Sequence, residues 1–241
     1  MTEETLWKPH NNPKVDNNGS GMKQHQQTRN NILLLICLVI LILFLPAMSS
    51  NVLLMKNILF TAIILFGTFS LDFVARAKKI LIVLGAVTIS LSWANHFIAN
   101  NVLSVVFAFS FLFFNLFIVV FMVRHVARSK NVDITIIINS INGYLLLGIL
   151  GALVLAISDE IQKLVYHLDS ETIHFAGGAA KGFHDYLYFS FVTLTTLGYG
   201  DVTPVSSFAK SVTLVIAITG QFYMTILIAI LVGKFISKAA E

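Results

Sequence analysis

Six long apolar runs, separated by short polar stretches, set the limits on what this chain can become. They are Ile32 to Leu45, Val52 to Leu71, Ile80 to Ile98, Val102 to Val123, Ile134 to Ile157 and Val205 to Ile236. A helix needs roughly 20 apolar residues to cross the hydrocarbon core, and within lipid only a structure that satisfies its own backbone hydrogen bonds is viable. The runs therefore predict an all-α membrane protein with six transmembrane helices, the first of them short for a span. Charged residues make up 12% of the chain, half the share of about 25% in soluble domains, which excludes an ordinary water-soluble enzyme. Cys37 is the single cysteine, so an intrachain disulfide and CxxC metal or redox motifs are excluded.

Residues 1–30 are polar, without apolar periodicity, and read as a disordered cytoplasmic tail. Residues 31–130 read as a four-helix peripheral bundle and 131–241 as a second unit built on the last two spans. With six spans both termini lie on one side. That side collects Lys8, Lys14, Lys23, Arg29, Arg76, Lys78, Lys79, Arg124, Arg128, Lys130, Lys234 and Lys238, which is 12 of the 16 Lys and Arg. The positive-inside rule makes it the cytoplasmic side, in a multi-pass protein expected in the plasma membrane. The net charge of +4 is thus a matter of orientation, and no nucleic-acid partner is expected. Between the last two spans Asp159, Glu160, Asp169, Glu171 and Asp185 make the opposite face acidic, which attracts cations.

A seventh, weaker apolar segment, Tyr186 to Leu197, is too short to cross and reads as re-entrant. It runs into Thr195-Thr196-Leu197-Gly198-Tyr199-Gly200-Asp201. Non-helical backbone at membrane depth is tolerated only where it is buried in protein or lines a water-filled path. Two glycines flanking one residue let alternate positions take φ > 0, so that successive carbonyls can point the same way. Four such segments around an axis would stack rings of oxygens able to replace an ion's hydration shell.

These residues resemble the signature of the tetrameric potassium channel family, whose filter reads TVGYG followed by Asp. The resemblance covers Ile134 to Ile236: outer helix, re-entrant pore helix, filter, inner helix. It implies a homotetramer in the lipid bilayer that conducts potassium passively. The carbonyls of Thr196, Leu197, Gly198 and Tyr199 would hold the dehydrated ions, the Thr196 hydroxyl would complete the innermost site, and Gly200 would close the outer mouth. Potassium is then the permeant ligand, and no cofactor is implied.

The filter surroundings depart from the family pattern. Leu197 stands where Val is usual and adds a methylene to a packed wall. Tyr188 and Phe189 occupy the positions of two bracing Trp residues; Tyr188 keeps a hydroxyl that could reach Asp201, whereas Phe189 has no donor. Val192 replaces a Glu that some members place behind the filter. Tyr188, Phe189, Val192, Thr195 and Asp201 are the expected filter support. In the inner helix Gly220 matches the family's hinge glycine, with close helix packing as the other reading. Ile226, Ala229 and Ile230, at helical spacing below it, are candidates for a hydrophobic gate.

The fourth span reads VLSVVFAFSFLFFNLFIVVFMV, with Arg124 and Arg128 only beyond its end, so it carries no arginine array. Its one polar side chain of note, Asn115, is expected in an interhelical hydrogen bond. A weakly selective cation pore, caused by Leu197 and the altered bracing, is one alternative; a potassium transporter subunit is another, although such subunits link four pore repeats in one chain and this chain has one. No span pairs His, Asp or Glu as an enzyme site would need, and no enzyme activity is expected. Each charge moved through 100 mV supplies about 2.3 kcal/mol, and steep gating uses 3 to 4 such charges per subunit. Conductance is therefore expected to vary weakly with voltage; a conductance-voltage curve equivalent to several elementary charges would contradict this.

Overall fold

The computed structural model describes residues 17–44, 53–70, 75–98, 100–129, 133–166, 172–176, 178 and 182–239. Most of them are helical: α1 (Asn17–Phe44), α2 (Leu53–Thr68), α3 (Ala75–Ile98), α4 (Asn101–Arg128), α5 (Ile134–Tyr166), α6 (Phe183–Leu194) and α7 (Ser207–Ala239). Two short strands, β1 (Ile173–Phe175) and β2 (Val202–Pro204), pair antiparallel, with His174 opposite Thr203. An all-α expectation lacks this ladder. Three-residue strands carry too little period-2 pattern to be seen in sequence.

Among the described residues five helices are long and apolar enough to cross a membrane: His25–Phe44, Ala77–Ile98, Asn101–Arg128, Ile134–Gln162 and Ser207–Gly233. The chain is an integral membrane protein. The short member is α2, not the first: its 16 residues span only about 24 Å at 1.5 Å per residue. The first run reaches full length because α1 begins at Asn17, well inside the stretch expected to be disordered. Residues 1–16, with Lys8 and Lys14, and residues 167–171, with Asp169 and Glu171, lie outside the described residues. The polar stretch can be helical from Asn17 because helix propagation onto an existing apolar segment skips the costly nucleation step.

Each of α2, α3 and α4 packs on the helix before it, and α5 packs on both α4 and α1. α5 therefore contacts helices among the first four as well as the last two. Phe111, Phe114, Ile118 and Met122 of α4 and Leu34, Leu38 and Leu41 of α1 are fully buried. A polar seam joins α1 to α5. Thr28 and Thr135 share a hydroxyl hydrogen bond of 2.8 Å, and Asn142 Nδ2 donates to the Asn31 carbonyl at 3.0 Å. Asn115 is buried in α4, but neither of its amide atoms has a hydrogen-bond partner among the described residues. The interhelical bond expected of it is not made.

The other face of α5 carries α6. A Cβ on Gly148 would run into the ring of Phe191, so the glycine lets the α6 aromatic lie against the α5 backbone, as small residues do between membrane helices. Beside it Ser190, fully buried, donates from Oγ to the Gly148 carbonyl at 2.7 Å. Replacing Ser190 by Ala is expected to lower stability by about 1 kcal/mol, the net worth of such a bond. Thermal unfolding in detergent measures it, and an unchanged midpoint would show that the bond contributes nothing.

Candidate functional site

The Gly-rich loop hangs from the C-terminal end of α6. That helix starts at Phe183 and ends at Leu194, three residues earlier at each end than the apolar pattern of Tyr186 to Leu197 suggests. Thr195 is its C-cap, with its N–H donating to the Phe191 carbonyl at 2.9 Å and its hydroxyl donating to the same oxygen at 2.7 Å. The chain then leaves the helix. Positive φ occurs at Thr196 (61°), Gly198 (55°) and Gly200 (80°), with Leu197 and Tyr199 between them. The two glycines adopt the alternation their spacing predicts, and Thr196 extends it by one step. A β-branched residue in the left-handed region costs of order 1 kcal/mol, so the surroundings of Thr196 must hold it there.

Two sets of hydrogen bonds do so. The Val192 carbonyl accepts from the N–H groups of both Leu197 (2.9 Å) and Gly198 (3.3 Å). The Thr196 N–H donates to the Thr193 carbonyl at 3.0 Å, and its hydroxyl donates to the Thr195 carbonyl at 2.6 Å and accepts from Gln221 Nε2 at 3.3 Å. Val192 entered the sequence reading only for the carboxylate it lacks; its backbone oxygen is what ties the loop to α6. Gln221 reaches the loop from α7. Neither role leaves a side-chain signature.

At the far end of the loop, Tyr188 Oη donates to Asp201 Oδ2 at 2.7 Å. This is the contact its retained hydroxyl allows. The bond to the carboxylate pushes the Tyr188 phenol up to about 12, so it stays a donor at any physiological pH. Phe189 is buried. The Asp201 carbonyl accepts from the Ala176 N–H at 3.0 Å, and the ladder of β1 on β2 follows directly. Tyr186, one turn of α6 from Phe189, donates to the buried Asp159 of α5 at 2.6 Å; burial pushes its phenol further up. Thr172 Oγ1 donates to Gln162 Oε1 at 2.5 Å, and the Thr172 carbonyl takes the N–H groups of Val205 and Ser206. The C-terminal end of α5 is thus linked to both flanks of the loop. Residues 195–201 themselves are exposed, Tyr199 at 66% and Leu197 at 56%. More than half of the Leu197 surface is thus uncovered within the single chain.

Gly220 lies in α7 directly behind α6. A Cβ there would penetrate the Leu194 carbonyl oxygen and come within 3.0 Å of the Leu194 carbonyl carbon. Close approach of two backbones is thus sufficient reason for a glycine at this position. Tyr144 of α5 donates to the same carbonyl at 3.4 Å, and Tyr223 of α7 donates to the Ser140 carbonyl of α5 at 2.6 Å. Ile226 and Ala229 are exposed and Ile230 is half-buried, on a helix that is the least buried of the five candidate spans. Among the described residues no three His, Cys, Asp or Glu side chains group as a metal site.

Residues 144–237 match the ion channel family. The match covers 94 of the chain's 241 residues. The matched residues take in the last two thirds of α5, all of α6, the loop and nearly all of α7. The chain is similar to two Arabidopsis thaliana proteins. Two-pore potassium channel 4 is 38% identical over 63 residues, 26% of this chain and 22% of that protein. Two-pore potassium channel 1 is 34% identical over 87 residues, 36% of this chain and 21% of that protein. The chain thus spans about a fifth of the length of the curated relatives it matches. No solved structure matches it.

The contact at Gly220 fixes the expected effect of substitution there. Alanine favours the helix by about 1 kcal/mol, but forcing a methyl into packed backbone costs about 1 to 3 kcal/mol, and here the obstacle is a carbonyl that cannot rotate away. Gly220→Ala is expected to lower the unfolding midpoint by separating α7 from Leu194 at the end of α6. A variant with an unaltered midpoint would contradict the contact.

Proposed function

We propose that the chain is a subunit of a potassium-selective channel, in which four copies bring the Thr195–Asp201 loops together around a conduction axis. The observation that carries this reading is the alternation of positive φ at Thr196, Gly198 and Gly200 in a TxGYGD loop whose residues are exposed in the single chain. Each chain then supplies a quarter of every oxygen ring, with potassium held by the carbonyls of Thr196, Leu197, Gly198 and Tyr199, and with Gly200 at the outer mouth. The acceptors are neutral dipoles, so selection rests on how they replace water around the ion. The relatives named as potassium channels support the choice of ion.

In this reading α6 is the re-entrant pore helix, α2 spans as the short sixth crossing, and both termini are cytoplasmic in the plasma membrane. Tyr188, Phe189, Val192, Thr195 and Asp201 support the filter. The exposed face of α7 carrying Ile226, Ala229 and Ile230 converges below it and closes the path by dewetting. Bending of α7 at Gly220 would have to open the contact with Leu194, so a hinge there moves the base of the filter as well. A weakly selective cation pore is the competing reading. Reconstituted protein in a bilayer between potassium and sodium solutions is expected to reverse near the potassium equilibrium potential. A reversal potential near zero would overturn potassium selectivity and leave the weakly selective pore.

A further inference from the structure

The side chain of Gln221 crosses from α7 to the start of the loop, where its Nε2 lies 3.3 Å from Thr196 Oγ1. A hydroxyl has one hydrogen to give and two lone pairs to offer. Thr196 gives its hydrogen to the Thr195 carbonyl at 2.6 Å. Only a donor can then approach the oxygen, so the NH2 edge of the Gln221 amide is the edge that faces it. One lone pair is thereby taken and one is left. Both residues are exposed in the single chain, so hydrogen bonds rather than burial hold the hydroxyl in place. The bond to Thr195 ties it only to its own loop. Gln221 ties it to α7 at the level where two backbones meet, since the preceding residue, Gly220, lies against the Leu194 carbonyl.

We propose that Gln221 is the positioning residue of the innermost ion site. This deepens the reading of the loop as a potassium filter and rests on it. With four chains around the axis, each Thr196 hydroxyl brings one uncommitted lone pair, and each Gln221 keeps that oxygen in one rotamer. Oxygens ordered in advance bind a cation without the cost of ordering them at the moment of binding. Removing the amide should therefore lower affinity at this ring and leave the rings above it, which are built of backbone carbonyls, as they are. Gln221 itself does not touch the ion. The edge it presents carries partial positive charge, which a cation avoids.

Barium, a divalent cation close to potassium in size, meets the innermost ring first when added to the cytoplasmic side of reconstituted channels. In Gln221→Leu its block is expected to weaken about tenfold, equivalent to about 1.4 kcal/mol, while the reversal potential between potassium and sodium stays where it was. Gln221→Asn keeps the amide one carbon short of the hydroxyl and should weaken block to a similar extent. In a Thr196→Ala background, Gln221→Leu should change block less than about twofold, because residues that act through one bond are not additive. For a variant that passes no current, the rise in unfolding midpoint on adding barium to the purified assembly gives the same comparison, since a bound ion stabilises the folded state. Undiminished block in Gln221→Leu or in Gln221→Asn, or full additivity with Thr196→Ala, would overturn the proposal. So would a reversal potential moved toward zero by Gln221→Leu, which would make the amide a support of the whole filter. A reversal potential near zero in the unmodified channel would instead overturn the potassium reading, and this inference with it.

Discussion

Backbone hydrogen bonding at the end of α6 is the constraint on which the rest of the structure turns. The loop from Thr195 to Asp201 has to leave the helix, reverse the sign of φ at every second residue and still place its N–H groups. It manages the first turn by giving two of them, from Leu197 and Gly198, to the single carbonyl of Val192. That bifurcation draws the N–H groups inward toward α6. The conducting role proposed for the loop needs its carbonyls on the opposite side, and inward-facing N–H groups are the local condition for that. Because α6 is the anchor, anything that shifts α6 shifts the loop, and the surrounding contacts serve to immobilise it.

Those contacts come from two directions and differ in kind. From behind, α5 and α7 approach the backbone of α6 itself, through Gly148 under Phe191 and Gly220 under Leu194. Such contacts are steric and insensitive to water. From the other direction, hydroxyl-to-carboxylate bonds hold Tyr188 to Asp201 and Tyr186 to Asp159, and the strands β1 and β2 close the circuit. The acceptor in both tyrosine bonds is a carboxylate, and bonds to ionised groups are roughly twice as strong as those between neutral groups. An exposed bond such as that of Tyr188 nonetheless competes with water, whereas that of Tyr186 does not.

The loop and the long helices were legible in the sequence because each has a local signature: a run of apolar residues, or glycines at a fixed spacing. Tyr188 could be paired with Asp201 because the departure from the family pattern left one hydroxyl in reach. The bounds were harder. Nothing in Asn17 to Asn31 marks a helix, and its helicity is borrowed from the apolar segment that follows. Conversely, the run from Val52 to Leu71 is apolar beyond the helix, which ends at Thr68. What could not be read at all were roles carried by backbone atoms, such as the Val192 carbonyl, and contacts between distant elements, such as Gly220 with Leu194. Asn115 shows the reverse error. A lone polar side chain in an apolar helix suggests a partner, yet its own helix surrounds it with Phe111, Phe114 and Ile118, none of which offers one.

The position of α5 explains why the peripheral helices matter to a loop they never touch. One side of α5 takes α6 through Gly148 and Ser190, and another takes α1 through Thr135 and Asn142. A rigid helix transmits displacement along its length, so a shift of α1 or α4 against α5 reaches α6 with no intervening mobile linker. The fourth helix carries no charged side chain between Val102 and Val123, but its packing on α5 lets it resist or permit that shift. The coupling is then mechanical, and its stiffness is set by the seam of α1 on α5.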